Sequence, residues 1–301
     1  MKLATTMNDL GGYWSNRAEN MQLLRSAGFR HLDFNFEYDY LRGSGFFSDD
    51  FDGFLKMIKE KAAELGVDFV QSHAPAGAPL KNDEDARRLI EGIKVCIRAC
   101  HALGIPSTVV HSGYLRDISK EECFERNKAF YGELLEEAEK YGVNVLVENF
   151  DKMCSAHTYW IDNAPDLRAM IDYIDHPLCH ACWDAGHANL QEMPQHEGLA
   201  ILGEHVMAVH VQDNMGDRDA HMMPFFGSLN LDSLIRGLKD IDYKGAFTFE
   251  VASMTTPPSK RRPYEADTRL LKAPLSVRLA EEKLLYEVGK AALEAYDLFE
   301  D

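Results

Sequence analysis

Short apolar runs alternate with amphipathic segments along the whole chain. Runs rich in Val, Ile, Phe and Thr predict strands at residues 2–6, 30–35, 67–73, 107–111, 143–148, 178–184, 206–211 and 246–251. The segments between them carry helix signals. Asn16 and Glu19 form a capping box ahead of Met21, Leu24 and Ala27. Ser48 precedes Phe51, Phe54, Leu55, Ile58 and Leu65 at helical spacing, and Gly66 ends that run. Asn82 opens a helix bearing Leu89, Ile93 and Ile97 that closes near Gly104, and Ser119 with Glu122 caps another, closed by Gly142. The helical pattern after the sixth strand is the faintest, at 197–202, and the last is long, about 276–299. Eight strands alternating with eight helices predict an α/β chain folded as a single (β/α)8 barrel over residues 1–301. A doubly wound sheet would carry a glycine-rich phosphate loop after an early strand, and none is present. The stretch 253–274, with four prolines and the Lys260-Arg261-Arg262 cluster, reads as an extended loop between the last strand and the final helix. It is either a solvated linker or a cover over the barrel mouth.

A barrel of this kind places its active site at the carboxyl ends of its strands. From the third strand onward those ends are His73, His111, Glu148, Asp184, His210 and Glu250, each one βα unit after the last. A lone histidine at a strand end is most often hydrogen-bonded core. Six ionisable groups converging on one mouth would repel or stay unsatisfied without a cation, so the pattern predicts a metal centre. Carboxylate and imidazole donors without thiolate suit one divalent ion, Mn²⁺, Mg²⁺ or Co²⁺, with Zn²⁺ also compatible. His187 follows Asp184 by three residues, and the loop after the seventh strand packs Asp217, Arg218, Asp219 and His221 together. Asp219 and His221 either brace that loop or bind substrate or a further metal. Trp14, Phe36, Tyr38, Tyr114, Phe150 and Phe225 sit on predicted catalytic-face loops, where they pack the loops or stack on apolar sugar faces.

Composition narrows the partners. The formal net charge is −17, from 32 Lys+Arg against 49 Asp+Glu. That charge disfavours a nucleic-acid backbone and an anionic membrane surface. The first residues carry no apolar signal-peptide core and no apolar run is long enough to span a bilayer, which places the chain in the cytoplasm. The six scattered cysteines fit reduced cytosolic thiols. The Cys179-x-x-Cys182 pair, inside a predicted strand and without a second such pair, reads as buried thiols in preference to a redox or zinc motif. Barrels of this size often pair through peripheral helices, so a homo-oligomer is compatible with the chain.

The order His73, His111, Glu148, Asp184–His187, His210, Asp219-x-His221, Glu250 resembles the xylose-isomerase-like TIM-barrel superfamily over roughly residues 1–252. That superfamily holds sugar (phosphate) isomerases and epimerases as well as type IV apurinic/apyrimidinic endonucleases. Resemblance to the ketose 3-epimerases implies that Glu148, Asp184, His210 and Glu250 hold the metal. It also implies that Glu148 and Glu250 are the acid/base pair on opposite faces of a small sugar substrate. His187 matches a position that contacts substrate oxygens, and Arg218 resembles the epimerase arginine after the seventh strand, at a different spacing from His210. A glutamate that those enzymes place six residues after the first ligand is Cys154 here. The implied reaction is proton abstraction through a metal-stabilised cis-enediolate, with the proton returned to the opposite face or to the adjacent carbon. Trp14, His73, His111, His187, Arg218, Asp219 and His221 are the expected substrate-binding residues. If both glutamates are ligands only, His73, His111 or His187 is the base. Three alternatives share this equipment: a lyase acting on an oxidised glycoside, a barrel that needs a partner subunit, and an endonuclease with a trinuclear zinc centre. The nuclease would draw nine ligands from His73, His111, Glu148, Asp184, His187, His210, Asp219, His221 and Glu250.

Overall fold

A computed structural model describes residues 1–81, 83–150, 159–252, 254–255, 270 and 272–300. Its eight strands are β1 (Leu3–Thr6), β2 (His31–Asn35), β3 (Asp68–His73), β4 (Ser107–Val110), β5 (Asn144–Glu148), β6 (Cys179–Asp184), β7 (Val206–Val211) and β8 (Phe247–Phe249). All pair in parallel with their chain neighbours, and β8 pairs back onto β1, closing the barrel. The predicted (β/α)8 architecture is therefore the fold. β4 stops one residue short of its expected end and β8 two, so His111 and Glu250 stand just past their strands.

The helices are α1 (Arg17–Ala27), α2 (Glu37–Arg42), α3 (Phe51–Leu65), α4 (Glu84–Leu103), α5 (Lys120–Tyr141), α6 (Ala164–Ile174), α7 (Ala185–Leu190), α8 (Gln195–Leu202), α9 (Leu231–Asp240) and α10 (Leu275–Glu294). Asn16 caps α1 by accepting from the Glu19 amide, while the Glu19 carboxylate reaches one residue further back, to the Ser15 amide. The cap of α3 is Asp50 and not Ser48, because the Asp50 carboxylate accepts from the Gly53 amide. α4 is capped by Asp83, whereas Asn82 lies outside the described residues. Gly142 ends α5 at φ 65, a left-handed turn that an L side chain would strain. The faint pattern after β6 resolves into two short helices, because the chain turns into α7 directly at Asp184. The final helix is shorter than expected, and most of 253–274, including Lys260, Arg261 and Arg262, lies outside the described residues.

Most of the core fills the space between the sheet and the helices. Alternate strand residues point the other way, into the barrel. There Val109, Leu146, Cys182 and Ala208, one from each of β4 to β7, form a small apolar cluster of their own. The buried polar residues Asp33, Gln71 and Thr248, from β2, β3 and β8, are hydrogen-bonded to one another. Cys179 and Cys182 are buried thiols, and burial pushes both up to about 12. Among the described residues no helix is long and apolar enough to cross a membrane.

Candidate active site

The strand ends converge on an inner cavity of about 300 Å³. Its lining includes His73, His111, Glu148, His187, Asp219, His221 and Glu250, with Phe150 as an apolar wall. Asp184 and His210 lie just beneath, at 0% and 1% exposure. The cavity shares Asn8, His221 and Glu250 with a wider one of about 930 Å³, which opens beside Gly11–Tyr13 and Lys272.

Within the cluster, ligand atoms of Glu148, Asp184, His210 and Glu250 all lie within 4.8 Å of one another. The same spacing groups His73 with Glu148 and His210, and His187 with Asp219 and His221. Glu148 is central. Its Oε1 lies 2.9 Å from His210 Nδ1, and its Oε2 lies 2.9 Å from His111 Nε2 and 3.6 Å from His73 Nε2. Glu250 Oε2 is 3.4 Å from His210 Nδ1.

Local chain geometry holds these groups in place. Asp184 doubles as the cap of α7: its Oδ1 accepts from the His187 amide at 2.6 Å, which places His187 one turn above it. Asn149 clamps the ends of β5 and β6 by exchanging two hydrogen bonds with the Asp184 backbone. Gln212 Nε2 donates to Asp219 Oδ1 at 2.9 Å and to Asp184 Oδ1 at 3.3 Å, tying the loop after β7 to the cap.

The Gln212 bridge explains the glycine in Trp183-Asp184-Ala185-Gly186-His187. A Cβ on Gly186 would stand 2.0 Å from Gln212 Cδ. Gly186→Ala is therefore expected to displace Gln212 and cost about 1–3 kcal/mol, read as a lower Tm, even though alanine is the better helix residue. An unchanged Tm would mean that Gln212 moves aside freely and braces nothing.

Electrostatically, the site holds more carboxylate than it can satisfy. Burial opposes ionisation of Glu148, yet the charges of His210 and His111 hold it well below the usual carboxylate range. Burial likewise disfavours charge on His73, but Glu148 and Glu250 outweigh it and raise that ring to about 9. His221 rises to about 10 against its burial, through Asp219 and Glu250. His187 and His210, also raised despite burial, stand well above the ordinary imidazole value. Burial lifts Asp184 to about 6, with His187 pulling the other way. The histidines thus hold protons that neutralise the carboxylates, as a cation would.

A divalent ion fits this donor set. Glu148 Oε2, Asp184 Oδ2 and His187 Nε2 are buried without a hydrogen bond, the His111 contact to Glu148 lacking hydrogen-bond geometry. Buried acceptors of that kind carry a desolvation cost that an ion would offset. The oxygen and imidazole donors match the hard and borderline divalent cations.

Of the residues expected at the site, the structure brings together His73, His111, Glu148, Asp184, His187, His210, Asp219, His221 and Glu250. It places Trp14 and Arg218 elsewhere. Trp14 is buried, its ring tilted against Tyr38 and under the Arg17 guanidinium, its indole N–H donating to Asp9 O. Arg218 is exposed and lines neither cavity. Phe36 is core, Phe225 is 74% exposed, and Phe150 alone of those six aromatics lines the inner cavity. Cys154 lies outside the described residues. Asn8, Asn35 and Glu37 also line the inner cavity and Asn149 and Gln212 brace it, although none of them ends a strand from β3 onward. Polar side chains at the ends of β1 and β2 were the available signal.

The family model of the xylose isomerase-like TIM barrel matches residues 21–273. Fructoselysine 3-epimerase of Shigella flexneri is 24% identical over 183 residues, 60% of this chain and 64% of that protein. The structure of D-psicose 3-epimerase from Clostridium cellulolyticum H10 with D-tagatose superposes with a TM-score of 0.76 at 16% identity, covering 97% of this chain and 99% of that one. AP endonuclease family 2 from Brucella melitensis superposes at 0.67 and 17% identity, over 84% of this chain and 94% of that one. The superpositions carry the fold and do not separate an epimerase from a nuclease. With a family match that spans most of its length, the chain belongs to the xylose isomerase-like TIM barrel family.

Proposed function

We propose that the protein is a divalent-metal-dependent sugar isomerase or epimerase acting on a ketose or ketose derivative. The observation that carries the reading is the placement of Glu148 and Glu250 on one cavity, beside Asp184 and His210, with all four donors within 4.8 Å. Likeness to fructoselysine 3-epimerase and D-psicose 3-epimerase supports it.

Glu148, Asp184, His210 and Glu250 would hold the ion. When bound, it would supply Lewis-acid stabilisation of negative charge developing on the substrate oxygens. One glutamate takes the proton from the carbon beside the carbonyl, and the C–H electron pair moves into the enediolate. The other glutamate, once it has taken a proton from water or a neighbouring protonated histidine, delivers it to the opposite face, giving an epimer, or to the neighbouring carbon, giving an isomer. Glu250 suits the substrate side, since its side chain is 21% exposed and Glu148 is 1% exposed. His73 and His187 direct Nε2 toward the cluster and can donate to substrate hydroxyls. Phe150, packed against His111 and His187, offers an apolar wall to the carbon chain.

Incubation in D₂O with Mn²⁺, Mg²⁺ or Co²⁺ and a panel of ketoses should place deuterium on the carbon beside the carbonyl. No exchange with any sugar would overturn the reading. Elimination of a substituent in place of exchange would identify a lyase. One observation favours the second reading, a nuclease with three zinc ions: His187, Asp219 and His221 form a further donor group. The charge of −17 works against that reading, because duplex affinity comes largely from Lys and Arg. Nicking of abasic DNA with about three zinc per chain would establish it.

A further inference from the structure

Three of the mouth histidines are aimed by backbone carbonyls. His73 Nδ1 bonds Ala74 O at 2.7 Å, His187 Nδ1 bonds Asn149 O at 2.9 Å, and His221 Nδ1 bonds Glu250 O at 2.7 Å. With Nδ1–H spent on a carbonyl, each presents Nε2 to the cluster. His210 is reversed. Its Nδ1 faces Glu148 and Glu250, and its Nε2 points down into the barrel toward Asp33 Oδ2, 3.6 Å away. Where the other rings have a carbonyl, this one has a carboxylate.

Asp33 lies on β2 and is 1% exposed. Its Oδ2 accepts from Gln71 Nε2 at 2.9 Å, and Gln71 Oε1 in turn accepts from Thr248 Oγ1 at 3.0 Å. This chain crosses β2, β3 and β8 and fixes the carboxylate from behind. Its Oδ1 has no hydrogen-bond partner. Lys and Arg form no ion pair with it among the described residues, so the cationic group it faces is His210. A buried carboxylate held by one neutral amide is destabilising unless it serves another group. At 3.6 Å the pair is an ionic contact, longer than a hydrogen bond.

We propose that Asp33 is the positioning residue of the metal centre: it holds His210 in the tautomer with Nε2 protonated, so that the Nδ1 lone pair faces Glu148, Asp184 and Glu250. The assignment rests on the divalent centre proposed above. Carboxylate–histidine–metal relays of this sort orient a ligand ring and raise its basicity.

The test uses the full-length protein, Zn²⁺ and Mn²⁺ as probes, and no substrate. Asp33→Ala removes the only acceptor that faces His210 Nε2 among the described contacts. It should weaken metal binding about 10–100-fold by titration calorimetry. In the Zn²⁺-loaded protein, ¹⁵N spectra of the histidines should show His210 protonated at Nε2 in the wild type and altered in the variant. Asp33→Asn keeps the shape and, with its oxygen held by the Gln71 Nε2–H, still accepts from His210 Nε2–H without the charge, so it should also weaken binding, by less than Asp33→Ala. Wild-type affinity with an unchanged His210 signature in Asp33→Ala, or wild-type affinity in Asp33→Asn if Asp33→Ala does not fold, would overturn the proposal while leaving the metal centre intact. A wild-type protein that binds neither ion would overturn both.

Discussion

Glu250→Gln should lower deuterium exchange into the responsive ketose by about 10²–10⁴-fold, the range for losing a positioned general base. The residue stands just past β8, its Oε2 3.4 Å from His210 Nδ1, and it borders both the inner cavity and the wider mouth. Glutamine preserves the side-chain shape and can still offer one oxygen to a cation, but it cannot accept the carbon-bound proton. Metal content separates the two proposed roles. A variant that keeps its ion and loses exchange has lost a base. A variant that loses both has lost a ligand whose removal masks any proton transfer. Retained exchange in a metal-loaded variant would remove Glu250 from both roles and turn attention to His73, His111 or His187. Glu148→Gln is the less clean probe. Glu148 lies against His73, His111 and His210 together, so neutralising it unbalances three rings at once.

The barrel was legible because each strand is a short apolar run ending in punctuation, and that pattern survives any uncertainty about helix bounds. The site was legible for a related reason. One histidine terminating an apolar strand is most often hydrogen-bonded core, but six ionisable strand ends in register have a common destination. What escaped lies in two places. Residues that act from inside a strand, such as Asp33 in His-Leu-Asp-Phe-Asn, look in sequence like an interruption of an apolar run. Their meaning depends on which barrel-interior neighbour they meet, here His210 from the opposite side of the ring. Loop residues failed in the other direction. Trp14 and Arg218 sit on catalytic-face loops as expected, yet Trp14 turns inward to cover Arg17 and Arg218 turns out to solvent. Membership of a loop fixes the end of the barrel, and side-chain direction is set by the tertiary partners.

Metal affinity should rise with pH, in two stages. Binding at the proposed centre requires Asp184 ionised and His210 neutral at Nδ1. Burial raises Asp184 to about 6 in the metal-free protein, and His210, despite its burial, stands well above the ordinary imidazole value. Below pH 6 the ion must therefore displace about two protons, and between that point and the His210 transition about one. Calorimetric titration in buffers of different ionisation enthalpy reads the number directly: about two released at pH 5 and about one at pH 7.5. Release that does not change between these values would exclude Asp184 as a ligand. The same groups fix the sign of the stability effect. A histidine whose folded value is raised stabilises the fold below its unfolded value near 6.5. That contribution is lost as pH rises through the folded value, about 9 for His73 and about 10 for His221. Metal-free protein should thus lose Tm on the alkaline side, where the histidines shed the protons that balanced the carboxylates. Metal-loaded protein should resist that loss, because the ion replaces those protons and is bound most tightly there, so the gap in Tm between the two forms should widen as pH increases.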